Sequence, residues 1–122
     1  MPTHDVQFGR IAATIAVADM ERALDFYTGV LGMTKTFENG NPVGFVILKR
    51  GDGELHLTLS RSHTPTDRNV AHLLVDDATA LHDLLVARGT RIIKGLRDAD
   101  YGLRNFVFAD PDGNRIDVGQ RV

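Results

Sequence analysis

Four charged or imidazole side chains stand where they could contact a ligand. Glu54 and His56 alternate with leucines in the segment ELHLTLS, and His72 lies in the apolar segment NVAHLLV. Asp117 follows the sharp turn DPDGN near the end of the chain. A carboxylate or an imidazole in a mainly apolar strand can hold a metal ion, contact a small molecule or form a structural hydrogen bond. The elements that carry these four residues decide between these roles.

Length and composition restrict the classes of function. The 122 residues, of which 43% are hydrophobic and 25% charged, are typical of one globular domain. A formal net charge of −2 argues against a nucleic-acid binder, which needs a basic surface to follow phosphates. The absence of cysteine excludes disulfides and thiolate chemistry, and no apolar run approaches the ~20 residues that cross a bilayer. We therefore expect a cytoplasmic protein with no nucleic-acid or membrane partner.

The first half of the chain predicts a strand, a helix and three further strands. The segment RIAATIAV (10–17) is apolar and rich in β-branched residues, and Asp19 behind it can cap a helix. The helix carries apolar residues at three- and four-residue spacing and ends near Gly32. Strand-like segments follow at 34–38, 43–49 and 54–59.

The second half repeats this order. A strand at 69–75 precedes a helix that Asp76 or Asp77 can cap, and strand-like segments follow at 91–94, 103–109 and 114–119. Val17 and Val75 lie 58 residues apart, which indicates an internal repeat. We expect a single domain, 1–122, made of two repeats at about 8–60 and 69–120 that a polar linker at 61–68 joins.

Alternation along the strands separates a core side from a ligand side. In ELHLTLS the leucines share one face of the strand, and Glu54 and His56 share the other. A single helix covers only one face of a four-stranded sheet, so two repeats can enclose a cavity between their uncovered faces. In the first strand the small residues Ala12, Thr14 and Ala16 would leave room for a ligand in that cavity.

The chain resembles the vicinal oxygen chelate superfamily, which groups glyoxalase I, extradiol dioxygenases, fosfomycin-resistance enzymes and bleomycin-resistance proteins. The resemblance lies in VADMERALDFYTGVLGM, LLVDDATALHDLLVARG and YGLRNFVFADPDGNRIDV, which together with the repeat cover nearly the whole chain. It implies an α+β fold in which two tandem βαβββ modules form an open, incomplete barrel around a ligand cavity. It also implies a homodimer.

In the metal-using members of that superfamily, the first and last strands of each module supply the ligands. The two first-strand positions correspond to Ala12 and Val70 here, and neither side chain can bind a metal. We therefore expect no cofactor. The alternative is one divalent ion such as Fe, Ni, Zn or Mn, held by the two-histidine, one-carboxylate set of His56, His72 and Asp117.

In the metal-free, drug-binding members, a W/Y-G-x-R segment precedes the penultimate strand and lies near the cavity mouth. Tyr101 and Arg104 match this segment, and they could stack on a flat ligand and pair with an anionic one. Arg104 could instead form a structural ion pair. Phe106 and Phe108 alternate with Val107, so one of these two sets faces the ligand.

These features favour a metal-independent protein, similar to the bleomycin-resistance proteins, that binds an aromatic or antibiotic-like molecule and acts by sequestration. One alternative is a metal-dependent lyase, isomerase or dioxygenase of the same superfamily that uses the histidine–carboxylate set. Another is a regulatory module that binds an endogenous metabolite. The predicted ligand-binding residues are Glu54, His56, His72, Tyr101, Arg104, Phe106, Phe108 and Asp117.

Overall fold

The computed structural model describes residues 5–99 and 102–122, which form two modules of the order βαβββ. The first module contains β1 (Ala13–Val17), α1 (Met20–Gly29), β2 (Thr34–Asn39), β3 (Phe45–Arg50) and β4 (Gly53–Leu59). The second contains β5 (Asn69–Leu74), α2 (Ala78–Ala87), β6 (Arg91–Ala99), β7 (Leu103–Ala109) and β8 (Arg115–Arg121). Neither helix in these ranges is long and apolar enough to span a membrane.

Each module forms one four-stranded sheet. The strand order is β1-β4-β3-β2 in the first sheet and β5-β8-β7-β6 in the second. In both sheets the first strand is parallel to the last strand of its module, and the other neighbours are antiparallel. The two sheets remain separate and do not close into a barrel. The predicted α+β fold of tandem βαβββ modules is confirmed.

Both helices begin at an aspartate. The carboxylate of Asp19 accepts a hydrogen bond from the backbone N–H of Arg22 at 3.1 Å, as an N-cap does. For α2 the cap is Asp77, whose carboxylate accepts from the N–H of Ala80 at 2.9 Å. Of the two aspartates that the sequence offered for the second helix, the structure therefore uses the one adjacent to it.

One hydrophobic core joins the two modules. Phe26 of α1 contacts Tyr27 edge to face at 5.1 Å between ring centroids, and it also contacts Phe108 of β7 at 6.0 Å. The strands contribute fully buried residues such as Leu57 of β4 and Val118 of β8. Because a helix of the first module contacts a strand of the second, the helix-facing sides of both sheets share this core. The opposite sides of the two sheets, here called the outer faces, carry no helix.

A buried polar cluster at the β7–β8 turn, here called the turn cluster, consists of Asp110, Asp112 and Asn114. The Oδ1 atom of Asp110 accepts hydrogen bonds from the backbone N–H groups of Asp112 and Asn114, both at 2.9 Å. Its Oδ2 atom accepts from the hydroxyl of Tyr27 at 2.7 Å. The side-chain amide of Asn114 donates to the carbonyl of Ala16 at 2.8 Å. The turn therefore binds directly to β1 and α1.

Asp112 extends this connection to the start of α1. Its Oδ1 atom accepts a hydrogen bond from the N–H of Ala18 at 2.9 Å and another from the guanidinium of Arg22 at 2.8 Å. The sequence DPDGN was expected to form a turn, and it does. Its polar side chains also join the second module to the first, which the local pattern did not indicate.

The equivalent turn of the first module, between β3 and β4, has a different chemistry. Asp52 at this turn is exposed, and Arg50 donates to the carbonyl of Leu31 at 2.8 Å. A groove of about 780 Å³ lies beside the turn, and apolar residues such as Leu73 and Leu81 line much of it. The two modules therefore repeat in sequence, but their equivalent turns do not make equivalent contacts with the other module.

Substitution of the central carboxylate tests the turn cluster. We expect Asp110→Asn to lower the free energy of unfolding by about 2–3 kcal/mol, because an amide group would replace one of two acceptor oxygens in a buried site. Asp52→Asn, at the equivalent exposed turn, should change it by less than about 0.5 kcal/mol. Urea denaturation measures both values. Equal losses in the two variants would contradict the structural role of the cluster.

The hydroxyl of Tyr27 gives a pH-dependent test of the same contact. Burial, and then the charge of Asp110, raise the pKa of Tyr27 well above its ordinary value. The unfolded chain ionises this hydroxyl near pH ~10, so its stabilising effect is complete below that pH and decreases as the pH rises towards the folded-state pKa. We expect Tyr27→Phe to cost about 1–2 kcal/mol at neutral pH and progressively less above pH ~10. A difference from wild type that stays constant between pH ~7 and ~11 would contradict this assignment.

Candidate ligand-binding faces

The outer face of the first sheet is aromatic and polar. His56 Nε2 lies 2.7 Å from Glu54 Oε2, and the imidazole meets the ring of Phe45 edge to face at 5.5 Å between centroids. Phe45 in turn contacts Phe37 of β2 at 6.3 Å. The structure therefore brings the predicted Glu54 and His56 together and adds two aromatic rings that the sequence analysis had not selected.

Cations surround the carboxylate of Glu54. The guanidinium of Arg10 lies 2.9 Å and the ammonium of Lys49 3.7 Å from its Oε1 atom. The hydrogen bond from His56, and next the one from Arg10, hold the pKa of Glu54 below its usual value. Glu54 is thus an ionised group whose hydrogen-bonding capacity is largely used by its own neighbours.

The outer face of the second sheet carries the other predicted pair. His72 and Asp117 are cross-strand partners, and His72 Nδ1 lies 2.9 Å from Asp117 Oδ2. The imidazole lies over Gly119, where an added Cβ would come within 3.0 Å of its Cε1 atom. Glycine at this position therefore makes room for the ring. His72 is half exposed, and its Nε2 atom forms no hydrogen bond with the part of the chain that the structure describes.

The predicted metal set is not assembled within one chain. The pair of Glu54 and His56 belongs to the first sheet, and the pair of His72 and Asp117 belongs to the second. Among residues 5–99 and 102–122, no three histidine, aspartate or glutamate side chains come close enough to hold a metal ion. Within one chain, the donors that the structure describes therefore do not form the divalent-ion site of the alternative hypothesis.

Phe106 and Phe108 lie in the core. They are 1% and 0% exposed, and Phe106 also contacts the imidazole of His82 on α2 at 5.3 Å. Their predicted place on the ligand side is wrong, because the register of β7 directs them towards the helices. The pairing with β8 shows the reason, since Phe106 and Phe108 are cross-strand partners of Val118 and Ile116, which are themselves buried in the core.

Arg104 also lies on the helix side of the second sheet. Its Nε atom donates to Asp98 Oδ1 at 2.8 Å, and its guanidinium lies 3.5 Å from the hydroxyl of Thr79 on α2. The hydrogen bond from Arg104 holds the pKa of Asp98 below its usual value. Arg104 therefore makes the structural ion pair that was its alternative role, and its predicted ligand contact is not supported. Tyr101 lies outside the described residues.

Asn105 and Val107 take the outer-face positions of β7. Their cross-strand partners on β8 are Gly119 and Asp117. The Oδ1 atom of Asn105 is buried and has no hydrogen-bond partner among the residues described. An unpaired acceptor of this kind usually costs about 1–3 kcal/mol, which makes Asn105 a candidate ligand contact. The sequence analysis missed it because nothing in the local pattern distinguishes it from an exposed asparagine.

One chain leaves both outer faces open. Two grooves, of about 780 and 620 Å³, lie elsewhere: one beside the β3–β4 turn and the other beside the start of α1. As far as the described residues extend, neither groove is lined by a predicted site residue. The candidate site is therefore a pair of sheet surfaces, which a single chain does not enclose.

Comparisons with known proteins agree with this architecture. Among solved structures, a member of the Glyoxalase/bleomycin resistance protein/dioxygenase superfamily from Sphaerobacter thermophilus is 28% identical to this chain. The two structures superimpose with a TM-score of 0.77 over 95% of this chain and 98% of that chain. A bleomycin resistance determinant encoded on the transposon Tn5 is 21% identical, with a TM-score of 0.80 over 93% of this chain and 98% of that one. The bleomycin-binding protein of bleomycin-producing Streptomyces verticillus, in complex with copper(II)-bleomycin, is 23% identical, with a TM-score of 0.74 over 97% of this chain and 100% of that one.

The last two likenesses, at these low identities, concern the fold alone. No curated protein shows a significant match to this chain. A family model described as the Glyoxalase/Bleomycin resistance protein/Dioxygenase superfamily matches residues 7–118. Because this match covers most of the sequence, the protein belongs to the Glyoxalase/Bleomycin resistance protein/Dioxygenase superfamily.

Proposed function

We propose that the protein binds an aromatic or antibiotic-like small molecule on its outer faces and acts by sequestration, without a metal ion. The observation that carries this proposal is the composition of the first outer face, where Phe37, Phe45 and His56 form a chain of ring contacts. Aromatic rings favour flat ligands, and a few polar groups beside them suffice to orient such a ligand. A protein of the same fold that binds bleomycin supports small-molecule binding by this scaffold.

The arrangement of the histidines supports binding in preference to metal chemistry. His56 and His72 each use one ring nitrogen for a carboxylate of their own sheet, at 2.7 and 2.9 Å. A catalytic divalent ion usually requires about three protein ligands around one point. Two separate histidine–carboxylate pairs instead provide hydrogen-bonding groups at two places on a ligand surface. Sequestration of an antibiotic in the cytoplasm would then give resistance without a chemical step.

We further propose that the active form is a homodimer. Phe37 and Leu74 remain 50% and 53% exposed on the two outer faces of one chain. Binding sites for small molecules usually bury most of the ligand surface, which open sheet faces cannot do. A second copy that covers these faces would enclose the ligand and remove exposed apolar surface from water. The ligand site and the dimer interface would then be parts of the same surface.

Ligand binding can be tested with a thermal-shift panel of aromatic antibiotics on the full chain. We expect a saturable rise in melting temperature that EDTA does not change. Phe45→Ala should weaken the binding of a hit about tenfold, because it removes the ring between His56 and Phe37. Phe8→Ala removes a ring of the same kind that is 88% exposed, and it is the matched control. Binding that EDTA abolishes and added Ni, Zn, Mn or Fe(II) restores would contradict the proposal, and so would a flat response to the whole panel.

The oligomeric state has its own measurement. Light scattering coupled to size-exclusion chromatography should give twice the chain mass of 13.4 kDa. Phe37→Glu places a charge on the proposed interface and should shift the protein towards the monomer, with a parallel loss of ligand affinity. Lys35→Gln changes the net charge by the same amount on the opposite face of the same edge strand, and it is the control. A monomer that binds the ligand with undiminished affinity would contradict the dimeric site.

A further inference from the structure

We infer that the ligand is an aromatic anion, because the outer face of the second sheet has an excess of cationic side chains. This inference rests on the proposed function and specifies its ligand class. Side chains of directly paired residues in an antiparallel sheet project from the same face. Asn105 and Val107 lie on the outer face, so the pairing of β7 with its neighbours identifies the other residues on it.

The register places cations along both neighbours of β7. On β6, Lys94 is paired with Val107 and Arg97 with Asn105. On β8, residues at even spacing from Asp117 share its face. The resulting set, here called the basic face, consists of Arg91, Lys94, Arg97, Arg115 and Arg121.

These charges are not neutralised within the sheet. In the ranges that the structure covers, Asp117 is the only carboxylate that the register places on this side, and it is hydrogen-bonded to His72. Asp98 of β6 faces the helix side, where it pairs with Arg104. No carboxylate of the described chain lies within 4.0 Å of a nitrogen of the basic face. A protein with a formal net charge of −2 thus presents a locally basic surface.

The first sheet does not offset this excess. Glu54, the carboxylate beside His56, is already in contact with Arg10 and Lys49. A cationic ligand would find Glu54 and Asp117 engaged, whereas an anionic ligand would find guanidinium groups that have no carboxylate partner within the described ranges. Arginine forms charge-assisted, often bidentate hydrogen bonds with carboxylate, sulfonate and phosphate groups.

The spacing of the strands fits a ligand with a flat apolar part and an acidic group. The imidazole of His72 lies over Gly119 on β8, with Leu74 exposed beside it. In the same row across the sheet, Asn105 is paired with Gly119 and Arg97 with Asn105. Two strand spacings, about 10 Å, separate β8 from β6. A bicyclic ring on His72 can therefore direct its acidic group to Arg97, and Asn105 lies between the two.

Three naphthalene derivatives test the charge of the ligand with the same ring. We expect 2-naphthoate to bind the full chain about tenfold more tightly than the neutral 2-naphthamide, with the cationic 2-naphthylmethylammonium weakest. Sodium chloride at about 0.5 M should weaken the binding of naphthoate and leave that of the amide nearly unchanged. Isothermal titration calorimetry measures all three affinities.

A matched pair of variants then locates the cations. Lys94→Gln with Arg97→Gln should weaken naphthoate about tenfold and change the naphthamide affinity by less than about twofold. Arg61→Gln with Arg68→Gln alters the net charge equally at exposed linker positions and should leave both affinities unchanged.

The outcomes separate this inference from the function on which it rests. If the amide and the ammonium bind as tightly as naphthoate, the inference is wrong and aromatic binding still stands. If the linker variant loses as much naphthoate affinity as the β6 variant, the basic face is not the site and the inference is wrong. If none of the three compounds binds, the proposed function fails and the inference fails with it. Tight binding of a short RNA oligonucleotide in place of naphthoate would overturn the assignment to a small anion.

Discussion

The buried hydrogen bonds of the turn cluster determine how the two modules are placed. Asp110 and Asn114 are 4% and 3% exposed, and their partners include Tyr27 and Ala16 of the other module. Buried polar groups without partners are costly, so any other placement of the modules would leave several such groups unpaired. Apolar contacts alone would tolerate small shifts of one sheet against the other. The directional bonds of this cluster select one arrangement, and that arrangement directs both outer faces away from the shared core.

Among the described residues, hydrogen bonds to the other module come from the β7–β8 turn and not from the β3–β4 turn, although the sequence contains both turns. At the β3–β4 turn, Arg50 binds the carbonyl of Leu31, and Asp52 remains exposed. The junction of β5 with α2 is held instead by the side chain of Gln120, which accepts from the N–H of Ala78 at 2.8 Å. An internal repeat therefore predicts two similar modules, but it does not predict that their junctions are alike. A single difference between the repeats, such as Arg50 at the position equivalent to Asp110, is sufficient to change the chemistry of a junction.

Local patterns predicted the elements, and tertiary pairing decided the site. Apolar spacing and the caps gave both helices, and β7 was predicted at its observed bounds, Leu103–Ala109. Alternation in β7 left two choices of face, and only the pairing with β8 places Phe106 in the core and Asn105 outside. The strand β6 was predicted too short, at 91–94, because register shifts between Ile92 and Arg97 interrupt its alternation. Local patterns could not show that the predicted metal ligands lie on separate sheets of one chain, or that several cations share the basic face. Both facts depend on which strands become neighbours.

The distribution of the acidic residues explains how an acidic chain obtains a basic surface. Asp19 and Asp77 cap the helices, and Asp110 and Asp112 hold the turn cluster. Each of these carboxylates is held on the core side of the sheets, or at its edge, because it accepts hydrogen bonds from backbone N–H groups there. Few acids are left for the outer faces, whereas cations such as Arg97 form no ion pair with the residues that the structure describes. Net charge is therefore a poor guide to the ligand of this protein. The interactions that stabilise the fold place negative charge at the helix ends and the turn, and the proposed ligand surface of the second sheet takes the opposite sign as a consequence.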